Sequence, residues 1–269
     1  MGGRLTVVGT GIMFPSQMTF ESADAIRDAD EVFFNVGAHP LAVKWLKEKA
    51  KKSVDLYDMY ADGKDRSKSY AEMVEAIVSS VKQGNTVAAA FYGHPGVFVG
   101  PSFDAINECR VLGYPAVMLP GVCAVDCMFA DLEFDPASFG CTMLEATDYL
   151  FHKRTLDPNI PLVIWQAGVV ADLTFNLSGK TRNLDILKQR LGEDYPKDHA
   201  IIAYHAPTLP GMKPIVEVGT IGKIEAMNIN ASTTCLVRPR QVPSPDETYF
   251  DVMRERMTKA QERMKEAAG

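Results

Sequence analysis

The strongest constraint on this chain is an alternation of short apolar runs with segments of helical period. Residues 5–8, 31–34, 54–56, 86–91 and 116–119 read as strands. The run 86–91 is almost wholly apolar, as a strand covered on both faces must be. Between these runs, residues 21–27, 41–51, 67–82 and 102–112 read as helices. In the third of them Tyr70, Met73, Val74, Ile77 and Val81 fall on one stripe. Strand–helix–strand repetition predicts an open, mostly parallel sheet over a first domain, 1–119.

Pro120-Gly121 interrupts the series, and a second domain, 120–244, is expected beyond it. Residues 122–132 and 183–191 read as helices, and 162–165, 200–204, 215–218 and 234–237 as strands. The last strands follow one another with little helix between them, which predicts a mixed sheet. In the tail, 245–269, Phe250, Met253, Met257, Ala260 and Met264 recur three and four residues apart. That spacing makes an amphipathic helix with a Met-rich face. The expectation is a helix docked on its own domain, and the alternative is contact with a second protein surface.

Composition excludes several roles. A net charge of −6 gives no basic footprint for nucleic acid. The N-terminus lacks the tripartite pattern of a signal peptide, and no apolar run is long enough to span a membrane. A cytoplasmic protein without membrane or nucleic-acid partners is expected. Cys109, Cys123, Cys127, Cys141 and Cys235 have no metal-ligand spacing, so reduced thiols and no metal are expected.

The chemistry-bearing residues sit at strand ends. Gly9-Thr10-Gly11 follows the first strand and is either a tight turn or a close approach to a ligand. Tyr92-Gly93-His94-Pro95-Gly96-Val97-Phe98 is more specific: it leaves a buried strand and enters a helix, where open α/β sheets bind ligands. Pro120 to Ala124, Trp165-Gln166-Ala167-Gly168, Tyr204-His205-Ala206-Pro207 and Ser232-Thr233-Thr234 are further turns of this kind. Together they predict one site lined by loops from both halves. A separate cluster holds Tyr57, Tyr60, Arg66 and Tyr70. Phenols and a guanidinium this close can hydrogen-bond and stack. Equally, Tyr70 can belong to the apolar stripe and Arg66 to solvent.

The ordered set Val-Val-Gly-Thr-Gly-Ile, Tyr-Gly-His-Pro-Gly-Val-Phe, Pro-Gly-Val-Cys-Ala, Ile-Trp-Gln and Tyr-His-Ala-Pro resembles the tetrapyrrole methylase superfamily. His94, where most members carry an acidic residue, and the spacing of Tyr57, Tyr60, Arg66 and Tyr70 narrow the resemblance. The chain is similar to the borosin peptide-backbone N-methyltransferases. The resemblance implies a two-domain class III methyltransferase fold, with a mostly parallel first sheet and a mixed second one. It implies S-adenosylmethionine as cofactor, held by Tyr92, His94, Val97, Ala124, Gln166, Ala206, Thr233 and Thr234. It implies a homodimer, and methylation of backbone amides of a ribosomally made precursor peptide by Tyr57, Tyr60, Arg66 and Tyr70. Because no apolar core peptide follows the charged tail, the precursor is expected in trans. The alternatives are a methylase of tetrapyrroles or other small molecules, and a non-catalytic S-adenosylmethionine-binding protein.

Overall fold

The structure, a computed structural model, describes residues 2–37, 39–172 and 183–268. In the first half β1 (Arg4–Gly9), α1 (Phe20–Asp28), β2 (Glu31–Asn35), α2 (Pro40–Lys49), β3 (Ser53–Asp55), α3 (Arg66–Lys82), β4 (Thr86–Phe91), α4 (Gly100–Val111) and β5 (Ala116–Met118) follow one another. Their sheet has the order β3-β2-β4-β1-β5 and every pairing is parallel. β4 lies at its centre, and Val87 to Phe91 are buried, as an apolar run demands. One face is covered by α3 and α4 through Met73, Ile77, Val81, Ala105 and Cys109. The other is covered by α1 and α2 through Ile26, Ala42 and Leu46. Burial of each of the larger side chains contributes about 1.5–3 kcal/mol.

The second half contains α5 (Ala124–Asp131), α6 (Pro136–Phe139), β6 (Thr142–Glu145), α7 (Ala146–Phe151), β7 (Leu162–Trp165), α8 (Leu184–Leu191), β8 (Ala200–His205), β9 (Ile215–Thr220) and β10 (Thr234–Val237). The order is β6-β7-β10-β8-β9, with β6 and β7 parallel and the other pairs antiparallel. This is the mixed sheet expected. Its α6–β6–α7 segment was not legible in the sequence. α7 and α8 pack on one face through Tyr149, Leu187 and Leu191. α5 packs on the other through Val125 and Met128, where Ile12 from the first half joins Val163 and Tyr204. Strands of the first sheet end at Met118 and those of the second begin at Thr142. The division at Pro120-Gly121 remains our proposal.

Two local readings change. The helix expected from residue 122 starts at Ala124, because the Asp126 carboxylate accepts the Cys123 N–H at 2.7 Å and caps it there. The tail helix α9 (Glu247–Ala268) is not docked on its own domain. Its residues 247–267 are all exposed, including Phe250, Met253, Met257 and Met264. Ion pairs along the helix, Arg254–Asp251 at 2.8 Å and Lys259–Glu255 at 2.5 Å, hold it locally. Periodicity reports that a helix has an apolar face, not what covers that face.

Candidate active site

Three strand-end turns of the first half pack backbone against backbone. Gly11 and Gly93 form a bridge, Gly93 N–H donating to Gly11 O at 3.0 Å and Gly11 N–H to Gly93 O at 3.3 Å. A Cβ on Gly9 would lie 2.3 Å from Gly93 O, and one on Gly121 3.0 Å from the same atom. The glycines after β1 therefore serve loop–loop packing, and Ile12 is the residue of that turn that reaches the cavity. Tight packing fixes the loop after β4 in place. In that loop His94 Nδ1 accepts the Gly96 N–H at 2.9 Å, so the neutral ring carries its proton on Nε2. Phe98 has a left-handed φ of 58°.

The second half meets this loop. Gln166, at the end of β7, has φ 56°, and the turn after it presses on the 230–233 loop. A Cβ on Gly168 would lie 2.0 Å from Asn230 O, so only glycine permits this approach. Thr233 Oγ1 accepts the Asn230 N–H at 2.8 Å, and His205 Nε2 lies 2.9 Å from Asn228 O, which orders the same loop. Phe98 and Trp165 join the halves edge to face, 5.1 Å between ring centres. At the opposite rim His39 Nδ1 accepts the Ala42 N–H, so Nε2 donates to Thr208 O at 3.0 Å.

A cavity of about 680 Å³ lies between these loops, within the ordinary range for a small-molecule site. Tyr92, His94, Val97, Ala124, Gln166, Ala206, Thr233 and Thr234 all line it. So do Tyr60 and Tyr70. Tyr57 and Arg66 are not among the lining residues. Phe98 and Trp165, from the loop motifs after β4 and β7, line it too, as do Asn35 and His39, which no motif singled out. Among the described residues the lining holds no Asp, Glu, Lys or Arg. No described group of three His, Cys, Asp or Glu side chains is arranged to hold a metal ion. No described helix is long and apolar enough to cross a membrane.

The tyrosine cluster is built by β3 and α3. Asp55 caps the 3-10 turn Leu56–Met59 by accepting the Tyr57 N–H at 3.1 Å. Ser69 Oγ on α3 donates to Met59 O at 3.0 Å and ties that turn to the helix. Tyr57 and Tyr60 pack edge to face, ring centres 5.8 Å apart. Asn35 Nδ2 donates to the Tyr60 hydroxyl at 3.3 Å. Burial pushes Tyr60 up to about 12. The neighbouring Tyr70 adds to the rise, and Asn35 and Arg66 oppose it. Arg66 therefore acts on Tyr60 from behind the cavity wall and does not hold it ionised. Tyr60 stays a phenol at neutral pH.

The walls suit a methyl donor of the sulfonium type. Aromatic faces attract a sulfonium cation. The Gln166 amide, the His94 ring and the Ser232 and Thr234 hydroxyls offer donors and acceptors for a nucleoside and an amino acid end.

The sequence model of the family Tetrapyrrole (Corrin/Porphyrin) Methylases matches residues 4–225. Three fungal relatives carry double names. The "methyltransferase/ribosomally synthesized cyclic peptide gymnopeptides precursor" of Gymnopus fusipes is 38% identical over 258 residues, which are 94% of this chain and 60% of the relative. The omphalotin A precursor fusion of Omphalotus olearius is 38% identical over 88% of this chain and 58% of its own length. A type III borosin precursor fusion of Anomoporia bombycina is 41% identical over 87% of this chain and 27% of its own length. The chain thus spans less than two thirds of these relatives. Uroporphyrin-III-C-methyltransferase of Thermus thermophilus has the same fold, with a TM-score of 0.63 at 18% identity, covering 92% of this chain and 100% of that one. The same enzyme complexed with S-adenosyl homocysteine superposes equally well, 0.63 at 15% identity over 88% and 97% of the chains.

Proposed function

Because the chain belongs to the tetrapyrrole (corrin/porphyrin) methylase family and is an S-adenosylmethionine-dependent methyltransferase, we propose that its acceptor is the backbone amide nitrogen of a precursor peptide. The observation that carries this reading is that Tyr60 and Tyr70 line the same uncharged cavity as the residues assigned to the cofactor. A tetrapyrrole bearing several carboxylates needs cationic partners, and the described lining offers no Lys or Arg. A peptide bond is neutral and suits such a cavity. The names of the fungal relatives, each joining a methyltransferase to a peptide precursor, agree with it.

An amide nitrogen is a poor nucleophile because its lone pair is delocalised into the carbonyl. Bound S-adenosylmethionine supplies a methyl carbon on a positive sulfur, which keeps the carbon–sulfur electron pair as it leaves. In our proposal Tyr92, His94, Val97 and Ala124 hold it from the first half, and Gln166, Ala206, Thr233 and Thr234 from the second. Tyr70, as phenolate, takes the amide proton, and the freed electron pair of nitrogen forms the new bond to carbon. Arg66 belongs to the same cluster, and Tyr57 and Tyr60 orient it.

The precursor in trans and a homodimer complete the proposal. The uncovered apolar face of α9 and the exposed Ile215, Val216 and Val218 of β9 support the second. The test offers the chain and S-adenosylmethionine, in parallel, a separate apolar peptide and a polycarboxylate tetrapyrrole. Mass gain in the peptide alone is expected. Gain in the tetrapyrrole alone overturns the reading.

A further inference from the structure

His205 ends β8, one residue before Ala206, and its buried ring reaches the loop that leads into β10. Nε2 lies 2.9 Å from Asn228 O and 3.3 Å from Thr233 Oγ1. A carbonyl oxygen only accepts, so Nε2 carries a proton whether the ring is neutral or charged. Thr233 Oγ1 cannot donate to a nitrogen that already holds a proton; it can only accept there. The other partner of that oxygen is the Asn230 N–H at 2.8 Å, again a donor. Its lone pairs thus face two N–H groups, and its own O–H has no acceptor among the described residues. The neighbouring Ser232 differs. Its hydroxyl donates to Asn230 Oδ1 at 2.7 Å, an oxygen identified by the Ser232 N–H that it also accepts at 2.9 Å. Thr233 is only 1% exposed, yet it lines the cavity. An unpaired buried donor is unfavourable, so this wall is satisfied when a ligand presents an acceptor to it.

We propose that Thr233 is a fixed hydrogen-bond donor to bound S-adenosylmethionine, and that His205 is the positioning residue that makes it one. The inference rests on the assignment of Thr233 to the cofactor above. The proton on His205 Nε2 bars the Thr233 hydroxyl from donating inward, which leaves its O–H for the ligand. The atom it meets must accept: a purine ring nitrogen, a ribose oxygen or a carboxylate oxygen. The exocyclic amine of adenine and the ammonium group of the methionine end only donate, and neither fits there. Without the His205 ring, Asn228 O loses its donor and the Thr233 hydroxyl is free to turn away from the ligand.

The test measures, by calorimetry, binding of S-adenosylhomocysteine and of analogues that each lack one acceptor: deazapurine, deoxyribose and decarboxylated forms. Thr233→Val removes the hydroxyl at similar size and should weaken S-adenosylhomocysteine about tenfold, the equivalent of one hydrogen bond. One analogue should bind this variant and the unaltered protein alike, because the contact is already gone, and it identifies the acceptor. Thr233→Ser keeps the hydroxyl and should bind as the unaltered protein does. His205→Phe keeps a ring without an N–H and should lose the preference for S-adenosylhomocysteine over that analogue. His205→Gln, whose amide N–H can stand where Nε2 stood, should restore it. Should His205→Phe fail to fold, His205→Gln is set against His205→Asn, which is one bond too short. Thr233→Val that weakens every analogue by the same factor overturns the donor. A preference kept in His205→Phe, or equal in the two amide variants, overturns the part given to His205. An unaltered protein that binds no S-adenosylhomocysteine overturns the assignment of the site instead, and shows it before any variant is made.

Discussion

Tyr70 and Arg66 differ in where they stand, and so in what their removal does. Tyr70 lines the cavity and Arg66 does not, yet both belong to the cluster that we propose accepts the amide proton. Arg66→Ala and Tyr70→Phe should each lower peptide methylation by about a hundredfold or more, the range of general base catalysis. Binding of S-adenosylmethionine, read by calorimetry, should stay within a few-fold, because neither is among the residues assigned to it. Loss of cofactor binding in Tyr70→Phe would show that this phenol holds the donor and is no base. The residues assigned to the cofactor were legible because each stands in a loop at the end of an apolar strand, where the alternation of elements already puts a site. Asn35 was missed for a related reason: it reads as the continuation of its strand, and only the register reveals that its side chain faces the cavity. Arg66 could be placed in the cluster by spacing, but not in front of or behind the wall.

Elements owe their relation to a few close backbone approaches. Gly168 makes one of the tightest, with Asn230 O 2.0 Å from the position of an added Cβ. Gly168→Ala should cost about 3 kcal/mol, seen as a lower denaturant midpoint. S-adenosylmethionine affinity should fall with it, because Gln166, just before that turn, lines the cavity together with Thr233 and Thr234. An unchanged midpoint would mean that the two loops part without penalty. The parallel order of the first sheet was readable because each of its strands is followed by a helix-period segment or the Pro120-Gly121 break. β6 was not readable: it is a four-residue edge strand, too short to show a period. α9 was visible as a helix and misjudged in its packing, since a sequence pattern carries no information about the facing surface. Removing residues 245–269 should leave the Tm of the remainder nearly unchanged if α9 stays bare. A fall of several degrees would identify a covered helix, and sedimentation would then show whether a second copy covers it.

Across the whole molecule, the buried phenols set a limit on alkaline stability. Burial raises Tyr60 and Tyr195 to about 12, and Tyr149 and Tyr204 higher still. In the unfolded chain these groups ionise near about pH 10. Unfolding therefore releases protons between those values, so the stabilisation is complete below pH 10 and falls as pH rises toward 12. Urea midpoints measured from pH 9 to 12 should decline steadily. A flat profile would mean that these phenols ionise in the fold as easily as outside it. At neutral pH the same burial keeps Tyr60 protonated.

Tandem mass spectrometry of a peptide after reaction with S-adenosylmethionine bears most directly on the account. The account predicts fragments that carry the added methyl group on the backbone nitrogen between two residues, and none in the Tyr70→Phe variant. A methyl group found on a side chain or a peptide terminus, or on the same backbone nitrogen at equal yield in that variant, would contradict it.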